Sequence, residues 1–354
     1  MAGHYLILGG GLAGSFMAAR LCLAGQRVTL IDDRDSHSAS RTAAGLFNVI
    51  TGRFGAKSWL ADTLLAEIKQ FLAIPSFQEL ARFVHYSSIY RPFKTTEDYN
   101  KWLGKVEDPA YQALVDFVEK PLHEDLLINP MGGVMIKPCG WVDTAGLIDG
   151  LLHALEFGFH LRRLTGHIDY DSIDIENRTV QLRQEALPFD HIVCCEGYQM
   201  VDNPWFEEVR LIPNKGEILR LEIPGLELPF VVSKKIYLIP EPTGSWVCGA
   251  TYANDFQSLE PTPSGREEIE SYLHKTIKLP YKITGHWSGV RPTTPNRRPV
   301  LGTHPELPHL HVLNGFGTKG VLLAPYCSRI MTEGLINGNW DIPKEAQLNR
   351  FYVD

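Results

Sequence analysis

Gly9, Gly11 and Gly14 follow directly on the apolar run Tyr5–Leu8 in the N-terminal stretch MAGHYLILGGGLAGSFMAARLCLAGQRVTLIDD, and Asp32 stands 18 residues beyond the last of them. A GxGxxG turn between a strand and a helix, with an acid at the end of the next strand, is the spacing that holds a dinucleotide. Gly9 permits the tight turn. Gly11 lets a pyrophosphate come up to the main-chain N–H groups of a turn that Leu12 and Ala13 complete, and Gly14 lets the helix lie close on the strand. Asp32, with Asp33 beside it, can accept hydrogen bonds from adenosine ribose hydroxyls and opposes a 2′-phosphate, although Arg34 is near. These residues alone do not separate NAD from FAD.

The elements that position them follow from the hydrophobic pattern. Tyr5–Leu8 and Arg27–Ile31 read as strands, and Ser15–Ala24 as a helix closed by Gly25, a βαβ unit that commits the N-terminus to a mostly parallel sheet. Ala61–Leu72 has helical spacing, Arg82–Tyr90 reads as a strand, and Asp98–Glu119 as a polar helical stretch. Val142–Leu155 reads as an amphipathic helix capped by Asp143 or Thr144, with strands near His160–Leu164, Thr179–Leu182 and His191–Cys195. From Gly216 to Gly285 alternation and Pro/Gly turns predict an antiparallel sheet interrupted by a helix at Arg266–Ile277, after which the tail returns to strand, glycine loop and helix.

Composition bounds the class. At 354 residues the chain is long enough for two domains, and 44% hydrophobic with 21% charged residues is ordinary globular usage. A net charge of −7 argues against a general nucleic-acid or anionic-membrane binder. No apolar stretch approaches the ~20 residues of a membrane span, and the N-terminus reads as a strand rather than a leader. The six cysteines show no CxxC or metal-ligand spacing, so no metal site is expected; they read as reduced thiols of a cytoplasmic protein.

Three further stretches, SHSASRTAAGLFN, GHWSGVRPTTPNRRPVLGTHP and NGFGTKGVLLAP, stand in this order after the glycine turn. With VDTAGLIDGLLHAL, FDHIVCCEG and IYLIPEPTGSWVCGAT, they resemble the FAD-dependent amino acid oxidases, the family of D-amino acid oxidase, glycine oxidase and sarcosine oxidase. The resemblance touches most of the chain. It implies an α/β fold, a Rossmann-like FAD-binding domain (residues 1–80, 145–215 and 290–354) interleaved with an α+β substrate domain on an antiparallel sheet (81–144 and 216–289). It also implies that Ser40, Arg41, Ala43, Ala44 and Gly45 run past the cofactor, that Gly197 lies beside the adenosine, that Arg291 forks a substrate carboxylate and that Tyr237 donates its hydroxyl to it. The loop Gly315, Gly317, Thr318, Lys319 and Gly320, opening a helix, would aim N–H groups and a positive dipole end at the N1–C2=O edge of a reduced flavin.

Departures from the family pattern refine the expectation. Thr318 stands where some relatives carry a second arginine or aromatic partner, and Val247 where sarcosine oxidases carry an oxygen-activating lysine, so the acceptor is O₂ or another oxidant. No cysteine stands in RPTTPNRRPVLG, which implies noncovalent FAD. Arg53 and Lys57 are candidate contacts to an additional anionic group, and Tyr86, Tyr90 and Tyr252 candidate pocket walls. The expected reaction is oxidation, by hydride transfer to flavin N5, of a small amine or amino acid bearing a carboxylate. The alternatives are a 2-hydroxy acid dehydrogenase with His286 or His304 as base, an oxidase module trimming a carboxymethylaminomethyl group on tRNA wobble uridine, and a flavin-holding subunit or NAD-binding regulator without turnover.

Overall fold

A computed structural model of the chain describes residues 2–52 and 55–352. The βαβ expectation is met: strand His4–Leu8, helix Leu12–Leu23 and strand Arg27–Asp32 follow one another, the two strands pairing in parallel. The helix is buried on nearly every side because it is wedged between the sheet and helices Thr144–Gly158 and Gly320–Asn337, which explains its weak amphipathicity. Six strands make the first sheet, in the order Val300–Thr303, Leu310–Asn314, His191–Cys194, His4–Leu8, Arg27–Asp32, Arg162–Thr165. All neighbours are parallel except the edge pair Val300–Thr303 and Leu310–Asn314. Strand His4–Leu8 is followed in sequence by its neighbour on one side, and on its other side lies a strand from much later in the chain, so the crevice outside its carboxyl end is where a ligand is expected.

A nine-stranded sheet, mostly antiparallel, forms the second layer. Its long members are Val84–Pro92, Gly133–Val142, Ile212–Glu222 and Lys282–Thr293. Ser38 bridges Val290 and the indole Nε1 of Trp287 donates to the carbonyl of Thr42 (2.9 Å), so the segment after Asp32 is clamped onto strand Lys282–Thr293. A side chain at Gly289 would collide with Thr42, which is why glycine stands there.

Three local expectations need correction. The stretch read as helical over Asp98–Glu119 is helix Thr96–Val106, a single turn Pro109–Gln112 and then strand Val115–Val118, whose β-branched and aromatic residues pair with Gly133–Val142. Val142 ends a strand, and the helix begins at Thr144 with Asp143 accepting from Gly146 N (2.9 Å). The helix placed at Arg266–Ile277 is Pro263–Leu273, started by the Thr262 cap and a proline in its first turn. Among the described residues no helix is long and apolar enough to cross a membrane.

Candidate active site

A cavity of about 670 Å³ lies between the two sheets, walled by the loops at the carboxyl ends of the parallel strands and by strands of the second sheet. Its first wall is the glycine turn. Gly9 has φ +97°, and a Cβ there would come within 2.5 Å of the Cys195 carbonyl; a Cβ on Gly10 would meet the Asp32 carboxylate at 2.7 Å, and one on Gly11 the Ser40 Oγ at 2.8 Å. Gly14 is off the cavity wall and lets the helix sit against the Gly9 carbonyl, which a methyl would overlap. Leu12 N donates to Ser40 Oγ (3.0 Å), so the 38–42 turn is tied to the helix start.

Asp32 is buried beside this turn. Its Oδ1 accepts from Gly10 N (3.1 Å), while its Oδ2 has no hydrogen-bond partner. An unpartnered carboxylate oxygen beside a cradle that admits no Cβ fits the ribose and pyrophosphate of a dinucleotide. Asp33 lines the cavity but its Oδ2 accepts from Gln199 Nε2 (2.9 Å). Arg41 does not line it: its guanidinium donates to Asp149 (3.2 Å) and lies 3.9 Å from Asp32 Oδ2. Ser40, Ala43, Ala44, Gly45 and Gly197 are all on the wall; Gly197 holds φ +62° and its carbonyl accepts from Asn314 (2.9 Å). Next to it Glu196 is a buried carboxyl whose pKa is raised by burial, opposed by donors from Asn203 (2.9 Å) and Tyr170 (2.8 Å).

The opposite wall comes from the tail loop. Gly315, Phe316, Gly317, Thr318, Lys319 and Gly320 line the cavity, and helix Gly320–Asn337 begins on its wall, where its first N–H groups lack intrahelical acceptors. Lys319 forms no ion pair among the described residues, and its pKa is lowered by burial and by the charges of Arg298 and Arg297. Lys57 lines the cavity as well and pairs with Asp62 (2.7 Å); Arg53 lies outside the described residues.

Arg291 and Tyr237 both line the cavity, from strands Lys282–Thr293 and Tyr237–Pro240 of the second sheet. Arg291 Nη1 donates to Asn214 Oδ1 (2.6 Å), both Nη atoms lie 3.4 Å from the Thr251 carbonyl, and the guanidinium sits 5.6 Å from the Tyr252 ring centroid. No carboxylate pairs with it among the described residues. Burial lowers its pKa, the Tyr252 phenol acting in the other direction, and it stays cationic. Gly216, opposite Gly289 in the strand register, leaves the space that the guanidinium fills. The Tyr237 hydroxyl accepts from Asn48 Nδ2 (3.4 Å).

The aromatic expectations divide. Tyr252 lines the cavity, whereas Tyr86 is 54% exposed and Tyr90 is fully buried with its hydroxyl bonded to Asn129 (3.0 Å), and neither reaches the wall. Val247 is packed in the apolar core. His286 is bound to the buried Glu217 (2.9 Å) and His304 packs on Phe206; neither lines the cavity. Sequence reasoning missed Asn214, Asn48 and Thr293, the last with an unpartnered buried hydroxyl on the wall.

Compared with known proteins, residues 4–334 match the FAD dependent oxidoreductase family, DAO. The chain belongs to that family. The bifunctional protein ThiO/ThiG of Nostoc sp. is 27% identical over 96% of this chain and 54% of its own length. The tRNA 5-methylaminomethyl-2-thiouridine biosynthesis bifunctional protein MnmC of Marinobacter nauticus is 24% identical over 98% of this chain and 58% of its own. The chain thus spans little more than half the length of these relatives. Glycine oxidase from Geobacillus kaustophilus superposes with a TM-score of 0.79 at 20% identity, covering 99% of this chain and 98% of that one. As a member of an FAD-dependent oxidoreductase family, the chain uses FAD.

Proposed function

We propose that this FAD-dependent oxidoreductase oxidises the C–N bond of a small amine or amino acid carrying a carboxylate. One observation carries the reading: a guanidinium, Arg291, faces the cavity with only neutral partners. Two parallel N–H donors match a carboxylate and fix its orientation. Tyr237 already accepts a bond from Asn48, so its own proton is free to be donated to a second carboxylate oxygen. Bound FAD supplies the hydride acceptor. The part of the protein is then to hold the substrate by its carboxylate with the Cα–H aimed at that acceptor and the amine neutral; the resulting imine hydrolyses in water. No base is needed. The one histidine on the wall among the described residues, His167, lies 3.7 Å from Asp33 beside the proposed nucleotide end, so a 2-hydroxy acid would find no base beside Arg291.

FAD is held noncovalently in this reading, since the segment RPTTPNRRPVLG carries no cysteine. The protein should purify yellow, release FAD on denaturation and bleach anaerobically with at least one of glycine, sarcosine or a D-amino acid. Arg291→Leu should weaken substrate capture by the worth of a charge-assisted hydrogen bond, about 1.5–3 kcal/mol or roughly 10- to 150-fold in kcat/KM. Bleaching by 2-hydroxy acids alone, or an unimpaired Arg291→Leu, would overturn the reading. A second reading, an amine carried on tRNA, is favoured by the likeness to the Marinobacter protein and by Lys57, Arg297, Arg298 and Lys319 on the cavity wall. Salt-sensitive retention of tRNA would support it.

A further inference from the structure

The partners of Arg291 are all neutral. Lys319 forms no ion pair among the described residues and Lys234 donates to carbonyls, but other enclosed cations are neutralised by acids: Arg20 and Arg329 share Glu67 at 2.6 and 2.8 Å, and Lys215 lies 3.2 Å from Glu217. Arg291 instead meets an amide, a carbonyl and an aromatic ring. The amide is Asn214, fully buried and directly opposite Arg291 in the antiparallel register of strands Ile212–Glu222 and Lys282–Thr293. Its orientation is determined by chemistry. Arginine has no acceptor, so the oxygen must face the guanidinium; the Nδ2 then donates to Asn254 Oδ1 (2.8 Å). The side chain is therefore held at both ends, and its oxygen in turn holds Nη1.

An aspartate would fit the same volume and would offset the cost of enclosing an unpaired cation. It would also cancel the charge that a substrate carboxylate must meet. We propose that Asn214 is the positioning residue of the site: it fixes the Arg291 guanidinium through a neutral amide and so keeps the whole positive charge available for an incoming carboxylate. The inference rests on the reading of Arg291 given above. Stability is forgone at position 214 for affinity, and the two quantities should therefore move in opposite directions when the amide becomes an acid.

The test compares wild type, Asn214→Asp and Asn214→Ala as FAD-loaded proteins. Acetate, a carboxylate that cannot be oxidised at a Cα–N bond, is titrated against the visible flavin spectrum; kcat and KM are measured with whichever amine of the panel bleaches the protein; thermal unfolding gives Tm. For Asn214→Asp, Tm should hold or rise, the acetate dissociation constant and the amine KM should each increase at least about tenfold, and kcat should stay within about threefold. Asn214→Ala keeps the charge but frees the guanidinium, so kcat should fall along with affinity. Acetate and amine binding by Asn214→Asp equal to wild type would overturn the inference and leave the carboxylate reading intact. A fall in Tm accompanying the lost affinity would also overturn it, since the residue would then be a packing element only. Wild type indifferent to acetate and to every amine would overturn the carboxylate reading itself.

Discussion

Gly216→Ala separates folding from function at the proposed carboxylate site. A Cβ at this position would lie 2.6 Å from both Cζ and Nη1 of Arg291 and closer still to Nη2, whereas ordinary contact begins near 3.4 Å. The guanidinium must therefore retreat by at least roughly 0.8 Å, the gap between those two distances at Cζ and Nη1, and by more at Nη2. Such a shift stretches the 2.6 Å bond to Asn214 toward the limit of hydrogen-bonding range and moves the donor fork off its line. The colliding atoms are the far end of a flexible side chain, and Gly216 carries no left-handed φ, so the strand itself tolerates the methyl. A misplacement of about 1 Å in an orienting group costs on the order of 100-fold in rate. The expected outcome is a variant with normal FAD content, a Tm within a few degrees of wild type and kcat/KM for the active amine reduced about 100-fold. Steady-state kinetics, flavin absorbance and a thermal melt decide it. Wild-type kcat/KM in Gly216→Ala would refute the premise that the guanidinium position, as drawn by the register of the two strands, controls the chemistry.

Two further outcomes follow from other buried groups. Asp32→Asn keeps an acceptor for Gly10 N but replaces the unpartnered carboxylate oxygen by an amide, so FAD affinity should fall by about 1.5–3 kcal/mol, roughly 10- to 150-fold, measured by fluorescence titration of apoprotein. His311 lies buried between Thr303 Oγ1 (2.9 Å) and His191 Nδ1 (3.0 Å), its pKa pushed down to about 3 by burial, with His191 and His309 adding to the effect. The unfolded chain binds this proton near pH 6.5 and the folded one near 3, so stability is fully present above pH 6.5 and is lost as pH falls toward 3. At pH 4.5 this group alone should cost on the order of 3 kcal/mol relative to pH 8. His311→Gln should remove that part of the acid sensitivity in urea titrations at the two pH values; an unchanged difference between them would refute it.

What could be read from the chain depended on the range of the interaction. The glycine turn, its strand and helix, and Asp32 lie within 33 residues, and their roles follow from backbone geometry that adjacent residues determine among themselves. Arg41 shows the limit: its partner Asp149 is 108 residues away, and nothing local announces the pair. Tyr86 and Tyr90 show another. Four residues apart on one strand they should share a face, but the register against Gly133–Val142 shifts between Ser87 and Ile89, so one ring is 54% exposed and the other fully buried. Asn214 could not be singled out at all, because an asparagine in LIPNKGEIL acquires meaning only when the strand 77 residues later is laid beside it.

Strand alternation also explains how an enclosed cation stays unpaired on a strand that carries an acid. Glu217 is next to Gly216, yet successive residues point to opposite faces of a sheet. Gly216 and Ile218 line the cavity, and Glu217 does not. On the far face its carboxylate is saturated by Thr262 N and Oγ1 (both 2.8 Å), His286 (2.9 Å) and Lys215 (3.2 Å). The same alternation withdraws His286 from the cavity and gives it to Glu217, so the nearest acid and the nearest candidate base on these strands satisfy one another behind the sheet. Among the described residues of these two strands, the cavity face is left with Arg291 as its positive charge and with no histidine or carboxylate, which fits the anionic substrate proposed above, whose oxidation turns on orientation. A one-residue slip of strand Ile212–Glu222 would exchange the two faces and, with them, the chemistry the site can support.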